Sequence, residues 1–154
     1  MSFFKSSGNR FWRIDVGIAV VWLVTAMPAG EIATLVRVVD GDTIWVKIHN
    51  AIQSVRYLGI NAEEWDTACG KVATRVNRSL LEGKTLRLVA DADVSNKDRF
   101  GRLLRYVYAG DTLVNAELVR QGVAHARRYE WGIDHYPAYA RLYYEAQAAQ
   151  RGCL

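Results

Sequence analysis

Apolar and polar positions change their period several times along the chain, and each change marks an element. Thr34–Val39 is a β-branched, apolar run that Asp40-Gly41 interrupts. An Asp-Gly pair between apolar runs is a hairpin signal. The next run alternates, with Ile44, Val46 and Ile48 on one side and Thr43, Trp45 and Lys47 on the other, which predicts a half-buried strand. His49-Asn50 reads as a second turn, and Val55–Ile60 as a third strand with Arg56 inside it. Trp65, Cys69, Val72, Ala73, Val76 and Leu80 then fall on one helical stripe, which Gly83 ends. Leu86–Ala90 and Leu103–Ala109 predict two further strands, the second closing at Gly110-Asp111. Asn115 reads as the cap of a short helix with Glu117 in its first turn, Arg120 in its last and Gly122 just beyond. Pro137 suits a first helical position, and Tyr139, Leu142, Tyr143, Ala146 and Ala149 form the inward stripe of a last helix.

Three strands, a helix, two strands and two helices predict an α+β chain: a five-stranded, OB-type Greek-key β-barrel with three α-helices. Such barrels commonly bind oligonucleotides, although a fold does not fix a function. The length of 154 residues is room for one domain. With 51% hydrophobic and 23% charged residues, only two prolines and no repeat, the composition excludes a disordered linker, a solenoid and a mucin-like stalk. Two cysteines exclude a disulfide-dense scaffold and a four-cysteine zinc site.

The first residues read differently from the rest. Lys5, Arg10 and Arg13 give a positive start, offset by Asp15, and Val16–Val24 is apolar and uncharged. The small residues Thr25, Ala26 and Ala29 follow, with Pro28 among them. This is the layout of a secretory signal, with an N-terminal anchor as the alternative; the apolar run is shorter than the ~20 residues of a comfortable membrane span. The expected division is residues 1–29 as signal peptide or anchor and 30–154 as the folded domain. The expected location is secreted or periplasmic, or membrane-anchored if the segment stays.

Charge sharpens the functional reading only locally. The chain carries a formal +4, but residues 1–29 hold three of the 20 basic and one of the 16 acidic residues, which leaves a net +2. Residues 97–128 concentrate Lys97, Arg99, Arg102, Arg105, Arg120, Arg127 and Arg128 against Asp98, Asp111 and Glu117. A basic face suits a polyanion and equally an ordinary solvated surface. Three clusters could carry chemistry: Asp40-Gly41-Asp42-Thr43, Arg56 with Asn61-Ala62-Glu63-Glu64, and Asp98-Arg99-Phe100-Gly101-Arg102. Singly, each reads as a turn, a structural ion pair or a solvated loop. Together they suit phosphodiester cleavage, which needs a base for water and cations for the charge on the phosphoryl oxygens. Asp42 and Asn61 offer oxygen ligands to a hard divalent cation, Arg56 and Arg102 offer planar forks to phosphate, and Glu64 remains for the water.

These motifs, with Val38-Val39 ahead of the first and Leu113-Val114-Asn115 and Leu118–Ala124 after the last, resemble the thermonuclease, or staphylococcal nuclease-like, family over roughly Thr34 to Gly152. The resemblance implies an OB-type barrel with three helices and a calcium-dependent nuclease acting on DNA and RNA. It assigns calcium binding to Asp42, Asn61 and the Ala62 carbonyl. Phosphate binding falls on Arg56 and Arg102, the general base on Glu64, and nucleotide binding on Phe100 and Tyr129. Two positions depart from the family pattern: Asn61 stands where an aspartate is usual, and Glu63 where a proline is usual. Asn61 lacks a full charge, which predicts weaker calcium binding and motivates a second reading, a non-catalytic OB module that binds nucleic acid. The expected form is a monomer with no stable protein partner. Cys69, on the apolar stripe, reads as a buried thiol, or in an exported chain as bonded to Cys153. His49, His125 and His135 are too scattered for a metal cluster, and His125 is a weak candidate for the substrate side.

Overall fold

The computed structural model describes residues 29–128 and 133–153. The expected signal segment up to Pro28, and Tyr129, therefore lie outside the described residues. In chain order the elements are β1 (Glu31–Val38), β2 (Thr43–Ile48), β3 (Ala51–Tyr57), β4 (Ile60–Ala62), α1 (Ala68–Leu81), β5 (Thr85–Val89), β6 (Leu103–Ala109), β7 (Thr112–Leu113), α2 (Val114–Arg120), β8 (Ala124–Ala126) and α3 (Tyr136–Ala148).

Five strands close into the expected barrel. β1, β2 and β3 form an antiparallel meander, with Val38 opposite Ile44 and Thr43 opposite Arg56. β5 pairs with β1 and with β6, and a parallel pairing of Val55–Tyr57 with Leu103–Arg105 closes β6 onto β3. Closure leaves no edge among these five strands. Period-two alternation fills the interior: Ile44, Val46, Ile48, Val55, Tyr57, Leu86, Leu88 and Val107 are buried in one cluster with Leu81 of α1, Leu118 of α2 and Tyr139 of α3. Each such aliphatic or aromatic side chain contributes roughly 1.5–3 kcal/mol on burial. Among the described residues, no helix is long and apolar enough to cross a membrane.

The structure departs from the sequence pattern in four places. The third strand ends at Tyr57, because Gly59 takes φ +76° and turns the chain. Ile60–Ala62 is then a separate strand that pairs with β8, an element too short to show a period. The first helix begins at Ala68, not near Trp65: the Thr67 hydroxyl accepts the Gly70 N–H at 2.9 Å and fixes the start. Trp65 lies outside the helical stripe and is 61% exposed. Asn115 does not cap its helix; Leu113 occupies the cap position and Asn115 lies inside α2. There it is fully buried, accepting the Val107 N–H and donating to the carbonyls of Leu58 and Arg105. Three bonds that link β6, the β3–β4 turn and α2 outweigh one terminal cap, because a buried amide left unpaired costs more than an exposed one. Finally, Cys69 is half-buried and bonded to Cys153, with Cα atoms 5.9 Å apart, and is not a free thiol. The bond ties the start of α1 to the segment after α3.

Candidate active site

The loop after β1 sets the site's floor. Asp42 donates its N–H to the Asp40 carboxylate, a local turn bond. Gly41 lies so close to its neighbours that a Cβ there would stand 2.5 Å from the Ala62 Cβ and 2.6 Å from that of Ala73. Only a glycine lets this loop press against β4 and α1, and the contact delivers the Asp42 carboxylate to the Ala62 N–H at 2.6 Å. Asn77 of α1 secures the same junction. It donates to the Asp40 carbonyl and accepts the Tyr57 hydroxyl from inside the barrel.

Asp42 and Arg56 form the buried half of the site, 5% and 7% exposed. One Arg56 amine stands 3.0 Å from the Asp42 carboxylate and 3.0 Å from the Asn61 amide oxygen. The other donates to the carbonyls of Tyr57 and Ile60, so the β3–β4 turn grips the guanidinium from both sides. Burial pushes the Asp42 carboxyl up to about 6, against the opposing pull of Arg56 and the Ala62 N–H and with a further upward push from Asp40. A carboxylate that burial makes costly to ionise even beside Arg56, with the Asn61 and Ala62 oxygens beside it, is an oxygen donor set that fits a hard divalent cation. Asn61 already accepts from Arg56, and from Arg127 at 3.4 Å. That is how a neutral amide oxygen settles between two guanidinium groups.

Glu64 follows β4 on an exposed turn. The Thr67 N–H and hydroxyl both bond its carbonyl, and a Cβ on Gly70 would fall 1.8 Å from that same carbonyl oxygen. The first turn of α1 therefore packs directly under Glu64. Its carboxylate makes no hydrogen bond or ion pair among the described residues and lines the cavity.

The loop before β6 supplies the opposite wall. Asp98 accepts the backbone N–H groups of Phe100 and Arg102 and holds the Arg102 side chain at 2.7 Å. Burial acts to raise the Asp98 carboxyl, but these donors outweigh it and hold the group below its ordinary value. Phe100 is 68% exposed, with the Arg99 and Arg102 guanidinium groups 4.7 and 5.4 Å from its ring centroid. An open cavity of about 740 Å³ is lined by Asp42, Arg56, Asn61, Ala62, Glu64, Phe100 and Arg102 together. All the described residues expected at the site thus face one space.

Asp40, Lys97, Arg99 and Arg127 line it as well. Arg127 follows β8 and its N–H bonds the Gly59 carbonyl; the basic run was its only sequence signal. His125 pairs with Asn61 across the β4–β8 ribbon and lies 5.4 Å from the Tyr143 ring, outside the cavity lining. A separate group of carboxylates, Asp91, Asp93 and Asp134, brings oxygen atoms within 4.8 Å of one another. Asp91 accepts the Tyr106 hydroxyl and the N–H groups of Asp93 and Asp134, bonds that fasten the segment before α3 to the barrel.

Residues 54–153 match the family model described as Staphylococcal nuclease homologue. The chain is 34% identical to a thermonuclease of Staphylococcus intermedius over 106 residues, 65% of this chain and 62% of that protein. It is 35% identical over 122 residues to an uncharacterized endonuclease of Escherichia coli, covering 77% of this chain and 73% of the other. It is also 35% identical over 148 residues to a micrococcal nuclease of Shigella flexneri, covering 86% and 79%. Against the two staphylococcal thermonucleases the chain spans only 62% and 59% of their length.

Proposed function

The chain belongs to the staphylococcal nuclease homologue family, and from that premise we propose that it is a calcium-dependent nuclease hydrolysing phosphodiester bonds in DNA and RNA. The observation that carries this reading is the convergence of Asp42, Arg56, Glu64 and Arg102 on one cavity. In this reading Glu64 takes a proton from water. The resulting hydroxide attacks phosphorus, the P–O bond to the leaving oxygen breaks, and that oxygen departs with a proton from solvent. Exposure and the lack of a competing partner among the described residues leave the Glu64 carboxylate available as the base. Arg56 and Arg102 meet the phosphoryl oxygens from the floor and the wall, stabilising charge that grows in the transition state. Asp42, Asn61 and the Ala62 carbonyl would hold the calcium ion, which supplies positive charge to the phosphate and lowers the cost of ionising water. Phe100, and Tyr129 by the family pattern, hold the nucleotide base.

Glu64→Gln tests the assignment. Turnover of single-stranded DNA with calcium is expected to fall at least ~10²-fold while nucleotide binding persists; a fully active variant removes Glu64 from the role. Absence of cleavage by the natural chain with any divalent ion rejects the nuclease reading in favour of a binding module. Asn61→Asp restores a charge among the proposed ligands, so half-maximal activity should need less calcium. We also propose export, supported by the apolar N-terminal segment and by the Cys69–Cys153 bond, which persists in oxidising compartments. Mass determination of the N-terminus from expressing cells separates cleavage from anchoring.

A further inference from the structure

The face that carries Arg56 does not stop at the cavity. Alternation sends Ile44, Val46, Ile48 and Val55 into the core, so the intervening residues of β2 and β3 share one outward face. Register stacks them in rungs: Thr43 with Arg56, Trp45 with Ser54, Lys47 with Ile52. β1 extends the second and third rungs, placing Arg37 beside Trp45 and Thr34 beside Lys47. The second and third rungs therefore follow the Arg56 rung at steps of about 7 Å, two residues of strand each.

What the second and third rungs present is cationic and aromatic, with Arg37 exposed and Trp45 half-buried. The Arg37 guanidinium stands 5.7 Å from the Trp45 ring centroid, and Lys47 is exposed. No carboxylate occupies an outward position of β2, β3 or β1. Glu31, at the start of β1, shares the inward parity of Ala33 and pairs with buried Arg105 at 3.1 Å. Aromatic rings beside backbone-following cations are how sequence-tolerant sites hold single strands, since every base has a π-face and every linkage a charge.

We propose that this outward face is a distal subsite for a single-stranded nucleic acid whose scissile phosphate lies at Arg56, with Trp45 stacking a flanking base and Arg37 and Lys47 holding flanking phosphates. The inference rests on the nuclease reading of the cavity, and it names residues one and two rungs, about 7 and 14 Å, beyond Arg56. Exposed Ile32, Val36 and Ile52 on the same face would also suit an anionic lipid surface. Continuity with the phosphate-binding rung favours the nucleic acid.

The test is equilibrium binding, by fluorescence anisotropy in chelator, of a labelled dinucleotide and of an oligodeoxynucleotide of about 12 nucleotides, within the ~4–16 that one such barrel spans. The Arg37→Ala/Lys47→Ala double variant is expected to bind the longer strand about tenfold more weakly, with its log–log salt slope lowered by about 1–2. Its loss on the dinucleotide should be several times smaller. Trp45→Ala should weaken the longer strand while Trp45→Phe, which keeps a stacking face, retains most of the affinity. Equal losses at both lengths, or no loss on the longer strand, overturn the subsite. So does a double variant that loses affinity for phosphatidylserine vesicles but keeps it for the longer strand. A natural chain that binds both lengths with the expected differences, yet cleaves neither with any divalent ion, retains the subsite and loses the nuclease reading.

Discussion

Two aspartate–arginine pairs face the same cavity, and their surroundings push the two carboxylates in opposite directions. Asp42–Arg56 is set into the barrel wall, where loss of water outweighs the guanidinium and raises the Asp42 carboxyl to about 6. Asp98–Arg102 sits on a partly solvated loop, where hydrogen bonds from Arg102 and Phe100 outweigh a smaller loss of water and lower the Asp98 carboxyl. One pair of residue types thus yields two devices. The buried pair fixes a carboxylate that burial makes costly to ionise even beside its guanidinium, in a place where further positive charge would stabilise it. The loop pair gathers its own loop around a carboxylate and places a guanidinium at the cavity. Distance from solvent, more than residue identity, decides which device results.

The comparison can be broken most directly at Arg56. Arg56→Ala leaves Asp42 buried without its counter-charge, and a loss of about 3–5 kcal/mol in denaturant unfolding is expected at neutral pH; a loss near that of a surface pair would mean that the wall is not dry. Removing the Cys69–Cys153 bond with paired alanines is expected to cost about 2–4 kcal/mol, because the bond closes a loop of 84 residues in the unfolded chain. That cost should vanish when both proteins are measured in reductant.

Asp42→Asn probes the same pair through its pH dependence. With its folded value raised, Asp42 contributes stability below its ordinary 3.8 that is lost as pH rises through about 6. Because Asp42→Asn also leaves buried Arg56 without its counter-charge, the variant is expected to be less stable than the natural chain, and in chelator that loss should be larger at pH 4 than at pH 8. A loss that grows as pH rises would overturn the raised value. The smallest effect belongs to the loop. Asp98, depressed, contributes above its ordinary 3.8 and loses that contribution as pH falls through its lower folded value. Asp98→Asn should lower stability by only about 0.5–1 kcal/mol at neutral pH, with the difference fading in acid. Calorimetric melting of the two asparagine variants across pH reads both signs in one series.

What the sequence disclosed follows the range of the interactions involved. The Asp40–Thr43 turn, the Arg56 strand and the Asp98–Arg102 loop are local and could each be read alone, whereas grouping Asp42, Arg56, Glu64 and Arg102 in one candidate site took the chemistry they could share and the family resemblance. The barrel was legible because alternation in residues 43–48 and 103–109 is a local record of burial. Asn115 misled because Asn at a helix start is a frequent cap, and only the assembled barrel contains the three backbone groups that claim its amide. β8 and Arg127 were illegible for a related reason: a three-residue strand has no measurable period, and its partner is Asn61, far back in the chain. The cystine was an open alternative because proximity of residues 69 and 153 is a property of packing.

The bond between Cys69 and Cys153 also bears on damage. The loop with Arg99 and Phe100 at its exposed tip lies between the two cysteines, and such tips are where proteases cut first. A single nick there would leave both fragments covalently joined and the barrel strands in register. Cleavage would then pass unseen on a non-reducing gel and emerge as two bands only once thiol is added.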